Sequence, residues 1–434
     1  MENLENKTVE NKVKKHKPKI SIVRILVALL IVLSFVGGFF TRHFISSDNV
    51  KTSSEIISII EKYAYMVDEN GNLIELDESD YAEALIKGLN DGYARYYTKE
   101  EYDNIKKQQK GEYSGFGISI DLEPEYPEII GVVGNSPAEK AGVQVGDIFI
   151  SAKTDESEVL LNSVDVAEYL DSIDKNTTVT FGILRNDQPQ SIQITKSSYT
   201  ATYVKYYDSE SQARFDFESK NFVREEIDVS SDTALIRLDS FEGDVSYQLG
   251  KALDFMLANK RTKLILDLRN NGGGYMDDLT AVSRHLIYNN DQKTLIAVAK
   301  SKTSSENFYM NAPIQRDNIK DVVVLANKNT ASASECLIGA MLYYGEKNGE
   351  KNFSRNRLII ETDGKGSQTT FGKGIMQTTY LLSNGGAFKL TTARILWPDK
   401  NTCIHGKGIG PDIVPEENIV KKSDVIARAR ELLS

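Results

Sequence analysis

Apolar residues recur along this chain with a period that changes by region, and each period predicts a different kind of element. Residues 20–40 form an apolar run broken once, by Arg24, and long enough to cross a bilayer. Across residues 53–110 the spacing becomes helical. Ile56, Ile57, Ile60, Tyr63 and Ala64 share one face, and Tyr81, Leu85, Ile86 and Leu89 share another, with a turn at Asn70-Gly71 between them. Residues 111–198 carry short β-type runs at 117–121, 128–133, 147–152, 178–184 and 191–195. Beyond residue 201 strands and helices alternate, with strands predicted at 234–238, 263–268, 294–299 and 321–326. The helices are predicted at 247–259, 277–287 and 334–344, and a further one at 423–433. That order predicts an α/β core of sheet and helix layers.

These shifts divide the 434 residues into several units, as a chain too long for one ordinary core requires. They are a basic tail (1–19), a membrane anchor (20–41), a helical module (50–110), a β-rich domain (111–198) and an α/β core (199–434). Lys7, Lys12, Lys14, Lys15, Lys17 and Lys19 precede the apolar run, which places the N-terminus in the cytoplasm and the body outside. A cleaved signal peptide is the competing reading, although no A-x-A site follows the run. Either way the body is exported.

Composition narrows the chemistry. A net charge of −10 argues against a nucleic-acid partner. Two cysteines, Cys336 and Cys403, make neither a zinc cluster nor a disulfide scaffold. Of four histidines, His16 and His43 flank the apolar run, leaving His285 and His405 for any reaction. No metal or cofactor is expected.

Three segments can carry chemistry. Thr330-Ala331-Ser332-Ala333-Ser334-Glu335 follows a buried-type strand and opens a helix. Ser332-x-x-Glu335 reads either as a capping box or as a nucleophile at a strand-to-helix turn, with the Ala333 N–H facing an oxyanion. A nucleophilic serine needs a base, and lysine is the natural candidate where histidine is scarce. Lys373 lies between two glycines in Thr370-Phe371-Gly372-Lys373-Gly374, which alone would also suit a charged turn. Leu266-Asp267-Leu268-Arg269-Asn270-Asn271-Gly272-Gly273-Gly274 runs from a strand into a loop whose backbone N–H groups can approach a bound oxygen.

Residues 111–198 resemble a PDZ domain of the circularly arranged bacterial type. The likeness rests on Gly115-Phe116-Gly117-Ile118, Ser136-Pro137-Ala138, Ala141-Gly142 and Gly146-Asp147. With the three segments above and Leu390-Thr391-Thr392-Ala393, Trp397-Pro398, Gly408-Ile409 and Pro411-Asp412, the chain resembles the carboxyl-terminal processing proteases from about residue 55 to 415. The resemblance implies an α/β Ser-Lys protease core, with Ser332 as nucleophile, Lys373 as general base and Gln377 positioning the lysine. It implies an oxyanion hole from the N–H groups of Gly273 and Ala333, and a tail-carboxylate loop at Gly115–Ile118. Ser334 is the rival serine. Arg185 is a candidate link between tail occupancy and the core, and the terminal helices are candidates to pair subunits as a homodimer, with the oligomeric state left open. Two features depart from the family: glycine at 272, where proline is usual, and a long Ser332–Lys373 spacing. Two other functions stay open at this point: a catalytically inactive PDZ scaffold that holds protein tails, and an acyl-transfer or hydratase-like enzyme.

Overall fold

The computed structural model of the chain describes residues 48–434 apart from 65–75, 123, 209–210, 217–220, 224–231, 290, 292, 315, 317, 348–352, 363 and 365–367. The basic tail, the apolar run and the Asn70-Gly71 turn lie outside the described residues. Among the described residues, no helix is long and apolar enough to cross a membrane. The helical spacing of the N-terminal region produces α1 (Asp48–Tyr63) and α2 (Glu78–Leu89). Ile56, Ile59, Tyr63, Leu85 and Leu89 remain exposed on them.

The expected helical module is interrupted by a strand. Arg95–Tyr97 forms β1, because Tyr97 is buried where it pairs with a later strand. Helix α3 (Lys99–Gln109) follows, started by a full capping box between Thr98 and Glu101.

The β-rich region contains β2 (Glu112–Gly115), β3 (Ile118–Asp121), β4 (Glu128–Val132), α4 (Pro137–Ala141), β5 (Ile148–Lys153) and β6 (Glu158–Leu160). It continues through α5 (Val166–Ser172), β7 (Thr178–Arg185), β8 (Gln188–Thr195) and β9 (Ser197–Thr200). Its main sheet runs β3-β4-β5-β7-β8, antiparallel throughout, with β6 beside β5 and β3 at one edge. Alternate residues point inward to a separate core of Phe116, Ile129, Phe149, Phe181 and Ile194. Ser136 caps α4 through Glu139 N–H at 3.1 Å, with Pro137 at the first helical position.

The remaining elements are β10 (Val204–Asp208), β11 (Ser211–Asp216), β12 (Asn221–Val223), β13 (Thr233–Leu238), α6 (Val245–Ala258), β14 (Lys263–Asp267), α7 (Met276–Leu286), β15 (Thr294–Ser301) and β16 (Ser305–Met310). After them come β17 (Asp321–Asn327), α8 (Ala333–Lys347), β18 (Leu358–Thr362), β19 (Ile375–Leu381), β20 (Ala387–Leu396), β21 (Ile419–Lys421) and α9 (Val425–Leu433). An eight-stranded sheet has the order β12-β11-β10-β13-β14-β17-β18-β21, parallel from β13 onward. Its central strands are apolar on both faces, as a covered parallel sheet demands. Leu264, Val322 and Leu358 join the α6–α8 side, whereas Ile265, Val323 and Ile359 meet α9 through Val425, Ala429 and Leu433. Each such aliphatic side chain contributes about 1.5–3 kcal/mol by leaving water.

A second sheet, β1-β20-β15-β16 with β19 on β20, departs from the sequence expectation, which set residues 294–299 in the same layers as the other strands. Between Ser332 and Lys373 lie α8 and β18, a crossover to the next parallel strand.

Candidate active site

Two loops leave the ends of neighbouring parallel strands β14 and β17, and hydrogen bonds tie them together. Ala331 N–H and Ser334 Oγ both donate to Asn271 O, each at 3.0 Å. Thr330 Oγ1 donates to Leu268 O at 2.8 Å, and Asn327 Nδ2 to Asn270 Oδ1 at 2.8 Å. Arg269 is engaged by Asp267 and Glu361, which braces the base of the glycine loop. Gly273 has φ +102°, and a Cβ there would lie 2.8 Å from Ser332 Cβ and 2.9 Å from Ala333 N. Only glycine brings this backbone so close to the serine turn.

Ser332 itself has φ +56°, in the left-handed region that a serine rarely adopts. It stands directly before α8. The capping box is only half formed: Glu335 Oε2 accepts from Ser332 N–H at 2.8 Å, but Ser332 Oγ makes no hydrogen bond among the described residues. An ordinary N-cap has extended backbone and a hydroxyl turned onto the helix. Here the backbone is inverted and the hydroxyl uncommitted. Ser334, the rival serine, is fully buried with its hydroxyl spent on Asn271 O.

Glu335 joins the serine turn to the lysine segment. Besides Ser332 N–H, its carboxylate accepts Lys373 N–H at 2.9 Å, Gly372 N–H at 2.8 Å and Thr370 Oγ1 at 2.5 Å. Burial raises its pKa from the ordinary carboxylate value, and these donors act in the opposite direction. Sequence reasoning saw Glu335 only as a helix cap.

The lysine side chain is less committed. Lys373 is half-buried, and burial first, then the ammonium of Lys389, holds its pKa below the ordinary lysine value. Its Nζ sits 4.6 Å from the centroid of the Tyr93 ring and makes no hydrogen bond to Ser332 or Gln377. Gln377 instead donates to Thr391 Oγ1 at 3.1 Å, across the β19–β20 pairing. Thr391 in turn donates to Asp91 from its N–H (2.9 Å) and hydroxyl (3.1 Å). Asp91 and Tyr93 were not singled out from the sequence, and Thr391 entered only within a resemblance block, because the turn that carries the first two is about 300 residues from the third.

The two proposed oxyanion donors also differ. Ala333 N–H heads α8 without an acceptor among the described residues, whereas Gly273 N–H donates to Asn271 Oδ1 at 2.9 Å. Neither histidine hydrogen-bonds Ser332 or Lys373 among the described residues. His285 contacts Ser246 Oγ at 3.2 Å and Arg316 Nη1 at 2.9 Å, and burial with the nearby arginine lowers its pKa to about 4. His405 is exposed. Burial pushes the Cys336 thiol up from its ordinary value.

In the β-rich region, the Phe116 side chain is core rather than lining, and stacks edge-on to Phe181. The carbonyl of Phe116 accepts from Ala138 N–H and that of Gly117 from Val133 N–H, each at 2.9 Å. The N–H groups of Phe116 and Gly117 have no acceptor among the described residues. Gly117 has φ +81° and lies against Ser136, where a Cβ would be 2.1 Å from that side chain's own Cβ. These two backbone donors adjoin β3, the edge strand of the main sheet. Arg185 pairs with buried Asp147 at 2.7 Å and donates to Gly142 O, both within the β-rich region. Lys205 on β10 lies 3.4 Å from both Glu139 on α4 and Asp239, an ion-pair contact between the β-rich region and the core.

The family profile for peptidase family S41 matches residues 232–351 and 365–414, the segments that contain Gly273, Ser332 and Lys373. The "Probable CtpA-like serine protease" of Staphylococcus saprophyticus is 28% identical over 412 residues, 93% of this chain and 74% of the relative. Its counterpart in Staphylococcus epidermidis is 30% identical over 333 residues, 76% of this chain and 59% of the relative. Over these spans the chain is similar to the carboxyl-terminal processing proteases of this family. It is a serine-type peptidase. Among solved structures, a photosystem II D1 C-terminal processing protease aligns over 78% of the peptidase and 82% of its own length, at TM-score 0.48 and 21% identity. The PDZ domain of a Vibrio cholerae carboxy-terminal protease, solved with a peptide, aligns over 20% of the peptidase and 97% of its own length at TM-score 0.19 and 17% identity.

Proposed function

We propose that this peptidase is a membrane-anchored endopeptidase of the extracytoplasmic space that selects substrates by their C-termini and cleaves them with Ser332 and Lys373. The observation that carries the reading is the serine turn. Ser332 stands in a left-handed conformation at a helix start with a free hydroxyl, and one buried carboxylate ties its backbone to that of Lys373. In the first step Ser332 Oγ bonds to the scissile carbonyl carbon while its proton passes to the neutral amine of Lys373. Ala333 N–H meets the carbonyl oxygen as it gains charge, and Gly273 N–H joins it once released from Asn271. The lysine then returns the proton to the leaving amine, and water, deprotonated by the same lysine, hydrolyses the acyl-enzyme.

The backbone N–H groups of Phe116 and Gly117 suit a terminal carboxylate, and the edge of β3 suits the preceding residues as an added strand. The domain limits 111–198 and 199–434 follow from this division of labour. The anchor and the outward topology rest on the apolar run and its lysines. The test is cleavage of an unfolded protein by the purified peptidase beside Ser332→Ala. A free-acid tail should bind better than its amide by roughly 1–3 kcal/mol, the worth of a charged hydrogen bond. Equal cleavage of both forms would remove the tail sensor but leave the peptidase. Protease added to intact cells should digest the body of the chain, and complete protection would overturn the topology.

A further inference from the structure

Lys373 is half-buried, and among the described residues its side-chain ammonium has one close partner, the face of an aromatic ring. Its Nζ lies 4.6 Å from the Tyr93 ring centroid, inside the ~6 Å range where an ammonium is attracted to the ring quadrupole. Tyr93 is fixed from behind. Its N–H donates to Asp91 Oδ1 at 3.0 Å, and Asp91 is bound to Thr391, which also holds the Gln377 amide. The turn 91–93 thus reaches both residues expected on the lysine side, Lys373 through the ring and Gln377 through Thr391.

We propose that Tyr93 is a positioning residue that holds the protonated side chain of Lys373 against its ring, and that loss of the proton frees the amine to turn toward Ser332. The proposal rests on Lys373 being the general base. The ring attracts a cation and has little hold on a neutral amine, so one proton controls both the basicity of Lys373 and its position. The other groups around Lys373 do not substitute for the ring. Lys389 on β20 repels the ammonium, and Glu335 on α8 is occupied by the Lys373 backbone N–H and three further donors. Asp91 is committed to Thr391 and Tyr93. Arg394 lies opposite Ile375 on the neighbouring strand, and His405 meets Gly374 through its backbone and Cβ.

The sign follows from the ring's preference for charge. Removing the π face while keeping the bulk, as in Tyr93→Leu, destabilises the ammonium. The acidic limb of the kcat/KM profile should then move to lower pH by about half a unit, within the range of a partly buried cation–π contact. Tyr93→Phe retains the face and should keep the parental midpoint. A second readout avoids turnover: in a Ser332→Ala background, the pH titration of the Lys373 ε-carbon resonance should show the same shift in Tyr93→Leu and none in Tyr93→Phe. Coincident midpoints in parent and Tyr93→Leu by that titration would overturn the proposal, as would Tyr93→Phe shifting as far as Tyr93→Leu. Should Tyr93→Leu fail to fold, Tyr93→Met, which also lacks the π face, takes its place in the titration, with the same downward shift expected and an unshifted midpoint overturning the proposal. Full turnover in Lys373→Ala would sink the underlying assignment of the base, while the resonance titration would still report on the ring.

Discussion

Around Ser332 the backbone has almost no freedom, whereas around Lys373 only the backbone is held. The serine turn is bonded to Asn271, Glu335 and the glycine loop, and Gly273 leaves no room for a side chain between them. The lysine has the same anchor at its N–H, but its amine rests on Tyr93 and Gln377 bonds Thr391. Both are parts of one candidate site, built with different rigidity. A turn with inverted backbone must be over-determined by its neighbours, because an unsupported residue of this kind is strained by roughly 1–2 kcal/mol. A long, unbranched lysine has no such requirement, and its position can follow its charge.

The contrast between the two sides can be broken most directly at the reacting atoms. Ser332→Ala and Lys373→Ala should each reduce kcat by roughly 10⁴-fold or more, with the fold retained by circular dichroism. Lys373→Arg should fail equally, since a guanidinium stays protonated. Ser334→Ala should keep measurable activity but lose stability, because its hydroxyl is a structural bond to Asn271. An active Ser332→Ala with an inactive Ser334→Ala would exchange their roles.

Glu335→Ala should come next, since it unties both sides at once and orphans buried donors. A loss of about 3 kcal/mol in chemical denaturation is expected, with kcat falling more than KM rises. Unchanged kcat would show that the two backbones are held together by other means. Gly273→Ala attacks the serine side alone. Its Cβ meets backbone and Ser332 Cβ, so we expect a fall in kcat of roughly 10²-fold, the scale of a lost oxyanion donor. An unaffected rate would place the oxyanion elsewhere.

The smallest effect sharpens the lysine side. Activity should rise with pH as Lys373 loses its proton, with the midpoint below the ordinary ~10.4 because burial and Lys389 both oppose the charged form. Removing the like charge in Lys389→Gln favours the ammonium, so the midpoint should move upward by a few tenths of a unit. A downward shift would contradict the electrostatic account. His285→Ala should leave the profile's midpoint in place.

Much of this architecture is local and therefore legible from the chain alone. The strand and helix limits of β13, β14, β17, α6, α7 and α8 follow hydrophobic periods to within a few residues, because a period records which face each element buries. Ser136-Pro137 and Gly142 likewise bracket α4 by chemistry within a few residues. Quoted blocks in family order also sufficed to name Ser332, Lys373 and Gly273 as candidates. Contacts between remote segments left no such mark. β1 pairs with β20, Asp91 meets Thr391, and Arg185 turns to Asp147 while Lys205 bridges to Glu139 and Asp239. Ser332-x-x-Glu335 is the sharpest case, since the same letters describe a finished capping box and a free hydroxyl. Which one forms depends on φ at Ser332 and on the packing of Gly273 against it, and those were decided only when two loops from neighbouring strands met.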